Sequence, residues 1–267
     1  MEQISDCHMH TKFSSDSVAS MESMVERAIE LGMTSICLTD HHDMDYETEE
    51  FRLDTPAYFE QVREVQNKYS DRIKVRFGVE IGLQPHLKER LKAYVDAWPF
   101  DYIIGSTHVV KGKDAYYPQN LLQWTDIRDL YRAYFRETVE NIHSFHEFQT
   151  LGHLDYVVRY GKKMADGYSY EFFTDEIDEI LRLLIKYDIA LEVNTGGYRA
   201  GLGFPNPHPD VIRRYRELGG EMITFGADAH APEHIGYAFD QAKELALSLG
   251  FRSYVRFVGR KCEFVKI

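Results

Sequence analysis

Histidines and carboxylates recur along the chain directly after short apolar segments. His8 and His10 form a His-x-His pair, and Asp228 and His230 repeat that spacing near the other end of the chain. Alternate residues of an extended segment point the same way, so each pair can hold one metal ion together. The potential ligands that follow apolar segments are His8, His10, Asp40, His41, His42, Glu80, His108, His153, Asn194, Asp228 and His230.

The set carries more information than any of its members. A single histidine is usually a surface residue or a satisfied core residue. Seven histidines with Glu80 and Asp228 are different, because buried polar groups are costly unless they share a partner. We therefore predict a metal centre. The other histidines fall in helical stretches or in a proline-rich loop, where solvated, capping or pocket-shaping roles compete: His86, His143, His146, His208 and His234.

The apolar segments read as strands that alternate with helical stretches, which is the pattern of repeated βα units and a parallel sheet. An α/β barrel and an open sheet both predict this pattern, and in a barrel the active site lies at the carboxyl ends of the strands. The seven predicted strands are Ile4–Cys7, Ser35–Leu38, Val75–Val79, Tyr102–Gly105, Thr150–Gly152, Ile189–Val193 and Met222–Gly226, with a further strand-like segment at Tyr254–Phe257.

Composition narrows the class of protein. The length of 267 residues, with 44% apolar content, predicts a single domain over residues 1–267. The net charge of −12 argues against nucleic acid as a partner, because affinity for nucleic acid comes mainly from lysine and arginine.

Three cysteines match no disulfide framework or zinc motif, and Cys7 is expected to pack in the wall of the fold. With no basic and apolar leader and no long apolar run, we expect a cytoplasmic protein without membrane contact.

These motifs together resemble the polymerase and histidinol phosphatase (PHP) family. They follow in order over nearly the whole chain, and the segment from Glu192 to Arg199 is most similar to the histidinol-phosphate phosphatases of that family. The motifs are His8-Met9-His10-Thr11 with Ser14 and Asp16, Thr39-Asp40-His41, Gly78-Val79-Glu80, Gly105-Ser106-Thr107-His108, Gly152-His153-Leu154-Asp155, Glu192-Val193-Asn194-Thr195 and Asp228-Ala229-His230.

The resemblance implies a distorted (β/α)7 barrel that holds two to three divalent ions of manganese, zinc or iron. Asp16 stands where some family members have histidine, and its carboxylate favours a harder ion. By analogy, the first ion would be held by His8, His10, Glu80 and Asp228, the second by Glu80, His108 and His153, and the third by Asp16, His41 and His230.

The implied reaction is hydrolysis of L-histidinol phosphate to L-histidinol and phosphate in histidine biosynthesis, by attack of a hydroxide that bridges two ions. Candidates to protonate the leaving alcohol are Asp16, His42 and His230. Candidates to contact the phosphoryl group are His42, Lys111, Arg159 and Arg199. The long segment of residues 109–126 forms either a wall of the substrate site or a loop packed on the protein surface.

Three other functions stay open at this point. The same family includes phosphoesterases for other substrates, such as a nucleotide, another small phosphomonoester or a phosphotyrosine protein. A metal-stabilised module without catalytic activity would bind metal but turn over nothing. A carbon–nitrogen hydrolase of the amidohydrolase type usually has a lysine among its ligands, and no predicted strand ends in one.

Overall fold

The computed structural model describes residues 4–161 and 168–267, and within them a curled parallel sheet forms the centre of the fold. Its main path runs β1-β3-β4-β7-β8-β9, and β2 continues from β1 to pair with β3. The strands are β1 Ser35–Leu38, β2 His41–His42, β3 Lys74–Gly82, β4 Tyr102–Ser106, β5 Val109–Val110, β6 Lys113–Asp114, β7 Thr150–Leu151, β8 Ala190–Asn194, β9 Ile223–Gly226, β10 Ser253–Val258 and β11 Lys261–Lys266.

The segment of residues 4–10 joins the two edges of this sheet. Asp6 bridges Ile36 of β1, and Met9 bridges Ala229 just beyond β9, both in parallel orientation. The predicted first strand is therefore present as an extended segment with isolated bridges. Because it lies between the first and last strands of the path, the sheet curls into a seven-membered barrel, and the predicted distorted (β/α)7 architecture is confirmed.

Helices connect successive strands and cover the outside of the barrel. Side chains of Ser20, Asp54 and Asp126 accept hydrogen bonds from the first turns of three of them, which explains where these helices begin. No helix within the described ranges is long and apolar enough to cross a membrane. The α-helices are α1 Met21–Glu30, α2 Thr55–Lys68, α3 Lys88–Ala97, α4 Pro118–Leu121, α5 Ile127–Ser144, α6 Thr174–Lys186, α7 Gly196–Arg199, α8 Pro209–Glu217 and α9 Phe239–Ser248.

Two elements differ from the sequence-based prediction in ways that matter to the site. β3 extends to Gly82, so Glu80 lies inside a strand rather than after it. Apolar residues at helical spacing from Ile235 to Leu249 predict one helix, but Gly236 and Ala238 have positive φ angles of 64° and 55°, and α9 begins only at Phe239. A helical pattern of apolar residues does not reveal such a left-handed turn.

The C-terminal hairpin of β10 and β11 closes the end of the barrel opposite the histidines. Phe257 of β10 stacks on Tyr102 at the start of β4, with ring centroids 5.5 Å apart. Cys7 and Cys37 are buried in the same small apolar cluster, as expected for Cys7. β10 contains the strand-like segment predicted at the chain's end, whereas its partner β11 was not predicted.

Candidate metal centre

Glu80 stands at the centre of a cluster of imidazole rings at the carboxyl end of the barrel. Its side chain is fully buried in the middle of the sheet, between β2 and β4. One oxygen, Oε2, lies 3.2 Å from His8 Nε2, 3.5 Å from His10 Nε2 and 3.0 Å from His41 Nδ1. Three histidines from two different segments therefore meet at a single carboxylate oxygen.

The other oxygen of Glu80 faces a second pair of histidines. Oε1 lies 3.3 Å from His108 Nε2 and 3.0 Å from His153 Nε2, and it accepts a hydrogen bond of 2.6 Å from the Ser106 hydroxyl. Because a carboxylate can offer each oxygen to a different ion, this arrangement suits a bridging ligand. The groups that the sequence assigned to a first and a second ion thus share Glu80 in the structure.

Asp228 and Asp16 extend the cluster towards solvent. Asp228 Oδ1 lies 3.5 Å from His10 Nε2 and 3.6 Å from His230 Nδ1. Asp16 Oδ2 lies 3.1 Å from His230 Nε2 and 3.6 Å from His41 Nε2. The structure therefore brings the nine residues predicted as ligands into one continuous cluster: His8, His10, Asp16, His41, Glu80, His108, His153, Asp228 and His230.

Several buried atoms in this cluster have no hydrogen-bond partner. They include His8 Nε2, His10 Nε2, His41 Nδ1 and Glu80 Oε2, although all four lie within 3.5 Å of another cluster atom. Buried polar atoms without partners cost free energy, and here they converge on one another. Nitrogen and carboxylate donors in this arrangement fit divalent transition metals, so the residues present match the predicted ions.

The charges within the cluster depend on one another. Burial alone raises the pKa of Glu80, but the neighbouring imidazoles of His8 and His41 outweigh it and hold that pKa well below its usual range. Burial lowers the pKa of His8, whereas the carboxylates of Glu192 and Glu80 hold it well above its ordinary value. For His10, burial and the nearby His41 both lower the pKa. The cluster is thus a compact mixture of opposite charges rather than a set of independent groups.

Two carboxylates orient the predicted ligands, and the sequence analysis missed both as site residues. Asp43 Oδ2 lies 2.7 Å from His108 Nδ1, and Glu192 Oε1 lies 2.6 Å from His8 Nδ1. Such contacts fix the ring and its tautomer, and the other nitrogen of each ring faces Glu80 in the cluster. Both residues had a detectable signal, because Asp43 lies two positions after His41 and Glu192 two positions before Asn194, so each shares a strand face with a candidate.

Asp40 follows a predicted strand, yet its carboxylate points away from the cluster. Its oxygens accept hydrogen bonds from the Thr11 backbone nitrogen and the Ser14 hydroxyl, at 2.7 Å and 2.8 Å. Ser14 Oγ in turn lies 3.1 Å from His10 Nδ1. Asp40 therefore supports His10 through Ser14 instead of offering a ligand atom.

Arg159 is the one predicted phosphoryl contact that borders the site. Its guanidinium donates to Asp228 Oδ2, Asn194 Oδ1 and Asn206 Oδ1, each at 2.8 Å. Asn194, a strand-end candidate, thus holds this arginine. Three acceptors on different segments fix the guanidinium in one orientation beside the metal ligands.

His42 was predicted to contact substrate or transfer a proton, and its position corrects that prediction. His41 and His42 are consecutive on β2, so their side chains point to opposite faces. The His42 ring stacks on Tyr94 with centroids 4.0 Å apart, and its Nδ1 accepts a hydrogen bond from the Leu53 backbone nitrogen. His42 borders a separate cavity, outside the metal cluster.

Lys111 and Arg199, also predicted to contact the phosphoryl group, do not line the cavity that opens above the cluster. Lys111 Nζ sits 5.1 Å from the centre of the Trp124 ring on the outer surface. Arg199 donates to the backbone oxygens of Ala227 and Asp228, at 2.8 Å each, and so supports the loop after β9. Loop cations cannot be placed from spacing alone, because their long side chains reach in any direction.

A cavity of about 410 Å³ opens directly above the cluster. One side consists of metal ligands and Arg159. The other side is aromatic, and the predicted wall at residues 109–126 contributes to it only through its first half. The aromatic and acidic side chains on that side include Tyr46, Asp114, Tyr116, Tyr117, Tyr156 and Tyr160.

Comparisons with known proteins agree with this geometry. The histidinol-phosphatase of Lactococcus lactis subsp. lactis is 29% identical over 263 residues, covering 97% of this chain and 96% of that protein. A probable histidinol-phosphatase of Clostridium acetobutylicum is 33% identical over 242 residues, covering 90% and 92%. A crystal structure of the Lactococcus lactis histidinol phosphate phosphatase with zinc, L-histidinol and phosphate matches with a TM-score of 0.91 at 30% identity, covering 98% of this chain and all of that one.

The model of the PHP domain family matches residues 6–196, which contain seven of the nine predicted ligands, and Asp228 and His230 complete the cluster beyond that range. From this match and from the similarity over nearly the whole length of the relatives, we conclude that the chain belongs to the PHP family.

Proposed function

We propose that this chain is a metal-dependent phosphatase that hydrolyses L-histidinol phosphate to L-histidinol and inorganic phosphate, a step of histidine biosynthesis. The observation that carries the proposal is the cluster of nine imidazole and carboxylate side chains around Glu80, open to one cavity. The relatives named as histidinol-phosphatases support the substrate.

We assign the metal ligands as three groups. Glu80 would bridge the ion held by His8, His10 and Asp228 to the ion held by His108 and His153. The third group, with Asp16, His41 and His230, is the most exposed, since Asp16 is 41% and His230 23% exposed. When bound, divalent ions lower the pKa of coordinated water and neutralise phosphoryl oxygens. Manganese, zinc and iron all suit these ligands, and the zinc complex of the relative favours zinc among them.

Arg159 would bind the phosphoryl oxygens beside the metal cluster. Its contacts to Asp228, Asn194 and Asn206 use three of the five N–H donors of the guanidinium. The remaining donors are available to phosphoryl oxygens, and because the guanidinium is already fixed, it needs no reorganisation as negative charge develops.

The leaving alcohol needs a proton as the ester bond breaks. Asp16 and His230 lie at the open rim of the cluster, with Oδ2 and Nε2 3.1 Å apart. Since His42 lies outside the cavity, these two groups are the remaining candidates from the predicted set. We assign proton transfer to this pair for the enzyme without a third ion, because an ion held by these two atoms would take the place of the proton.

The decisive experiment measures phosphate release from a substrate panel with enzyme purified in the presence of manganese or zinc. The panel contains L-histidinol phosphate, nucleoside monophosphates, a phosphotyrosine peptide and p-nitrophenyl phosphate. We expect the highest kcat/KM with L-histidinol phosphate and its loss in His108→Ala, with the exposed His143→Ala as the matched control. A higher value with another ester would keep the phosphatase and reject the substrate, whereas bound metal without any turnover would favour a non-catalytic module.

A further inference from the structure

Asp114 is a buried carboxylate on the wall of the substrate cavity that the phosphatase mechanism does not use. It ends the short strand β6 and is only 4% exposed. Its oxygens accept hydrogen bonds from the Tyr46 hydroxyl at 2.6 Å and from the Tyr116 backbone nitrogen at 2.8 Å. The Tyr156 hydroxyl lies 3.4 Å from both oxygens.

No lysine or arginine in residues 4–161 and 168–267 forms an ion pair with this carboxylate. The adjacent Lys113 pairs instead with Glu47, at 3.1 Å. Burial raises the pKa of Asp114, which means that its negative charge is poorly solvated. A buried carboxylate with neutral donors alone gains free energy when a cation binds beside it.

Tyrosine rings surround the same part of the cavity. Tyr116 makes edge contacts with Tyr117 and Tyr160, at centroid distances of 5.1 Å and 5.7 Å, and Tyr156 contacts Tyr160 at 5.0 Å. The electron-rich faces of such rings attract cations and stack with planar heterocycles. We call Tyr46, Asp114, Tyr116, Tyr117, Tyr156 and Tyr160 the tyrosine subsite.

The tyrosine subsite adjoins the metal cluster. The Tyr156 ring lies 4.9 Å from the His153 ring and 5.7 Å from the His108 ring, while its hydroxyl reaches Asp114. One tyrosine therefore spans the distance between the metal ligands and the acid. Asp114 and the predicted ligands line the same cavity, so a phosphate ester with its phosphoryl group on the cluster would extend its leaving group along the wall that contains Asp114.

We propose that the tyrosine subsite binds the cationic part of the leaving group, with Asp114 as its counter-ion, and so selects phosphate esters of alcohols that carry a protonated amine or imidazole. This inference rests on the proposed function and deepens it by assigning substrate selection to Asp114. In this proposal the two ends of the substrate bind different parts of the cavity. The phosphoryl end would contact Arg159 and the predicted metal ligands, and the cationic end would contact the tyrosine subsite.

The test compares Asp114→Asn with Asp71→Asn in the metal-loaded enzyme. The amide keeps the shape, because its oxygen can accept from the Tyr116 backbone N–H and its NH2 group can donate to the Tyr46 hydroxyl. Asp71 is exposed and lies three positions before β3, so both variants lose one negative charge. The readout is the ratio of kcat/KM for L-histidinol phosphate to kcat/KM for p-nitrophenyl phosphate. We expect this ratio to fall by about 10- to 100-fold in Asp114→Asn and by less than about twofold in Asp71→Asn.

A second measurement does not depend on turnover of the cationic ester. L-histidinol and inorganic phosphate are tested as inhibitors of p-nitrophenyl phosphate hydrolysis. We expect the inhibition constant of L-histidinol to rise by at least about tenfold in Asp114→Asn, and that of phosphate to change much less. Circular dichroism and bound-metal analysis establish that the variant is folded and loaded.

The outcomes distinguish the two proposals. If the wild-type enzyme prefers L-histidinol phosphate but Asp114→Asn keeps the ratio and the inhibition constant, the assignment of Asp114 is overturned and its role is only to hold the loops. An equal loss on both esters overturns it as well. If the wild-type enzyme shows no preference for L-histidinol phosphate, the proposed function itself fails.

Discussion

The two sides of the substrate cavity are built from different parts of the chain. The metal side comes from the ends of barrel strands, where residues such as Glu80 and His8 are completely buried and held by hydrogen bonds. The aromatic side comes from loops and two-residue strands, and Tyr116 is 59% exposed there. Under the two proposals above, the barrel would hold the reacting groups while the loops would select the substrate, a common division in α/β barrels.

The largest effect is expected at the centre of the strand-built side. Glu80→Gln removes the charge that five imidazoles share, so kcat should fall at least about 1,000-fold and bound metal should decrease. Metal analysis and steady-state kinetics measure both, with the exposed Glu89→Gln as the control. Retention of full metal content and activity would contradict the assignment of Glu80 as a bridge.

Arg159 lies where the two sides meet, so its loss tests the phosphoryl contact. Arg159→Met should lower kcat/KM by about 100- to 1,000-fold for every phosphate ester, because it removes a fixed donor and leaves Asp228 without its partner. Arg159→Lys should recover only part of this loss, since the three-way hydrogen bonding needs the planar guanidinium. An effect confined to L-histidinol phosphate would instead place Arg159 at the leaving group.

A substitution at Asp43 tests whether metal binding depends on the carboxylates that orient the predicted ligands. Asp43→Asn should weaken metal affinity by about 10- to 100-fold, because His108 loses the carboxylate that fixes its tautomer. Competition with a metal chelator measures the affinity, and Asp96→Asn on the surface of α3 is the control. Unchanged affinity would show that packing alone orients His108.

A smaller effect is expected on the loop-built side. Glu47 accepts hydrogen bonds from the Asp114 backbone nitrogen and the Asn120 side chain, at 2.7 Å and 2.6 Å, and so ties two loops together. Glu47→Ala should raise KM for L-histidinol phosphate by about three- to tenfold with little change in metal content. The exposed Glu60→Ala is the matched control, and a loss of metal would mean that the two sides are not independent.

The smallest effect on activity is expected at His42, which is outside both sides. His42→Phe keeps a ring to stack on Tyr94 but leaves the Leu53 backbone N–H without an acceptor. The free energy of unfolding, from urea titration, should fall by about 1–3 kcal/mol, while kcat/KM stays within about twofold. A tenfold loss of kcat/KM in folded enzyme would restore His42 to the site.

Short-range patterns predicted the alternation of strands and helices and the strand-end positions of the metal side, while the family resemblance distinguished the barrel from an open sheet. Apolar segments locate strands, and residues that follow them meet at one end of a parallel sheet, as His108 and His153 do. The family resemblance divided these residues among three ions, whereas the structure shows overlapping groups that share Glu80, His8, His10, His41 and His153, so the division stays a prediction.

The remaining features depend on contacts that no local pattern encodes. His42 is an exception, because the strand alternation already used for Cys7 and His8 could have placed it opposite to His41. Lys111 and Arg199 are flexible cations whose partners, Trp124 and the Ala227 carbonyl, are set by tertiary packing. Asp114 was counted among loop residues, and only the fold shows that it is buried against the cavity.

The way the barrel closes also determines when the site can exist during synthesis. Asp6 accepts a hydrogen bond from Ala227, 221 positions later, and β10 fills the far end of the barrel after that. A ribosome therefore produces His8 and His10 long before Asp228 and His230, and folds dominated by such distant contacts form slowly. Until the last barrel strand emerges, the nascent chain lacks Asp228 and His230, so the full set of nine predicted ligands cannot assemble before synthesis is nearly finished.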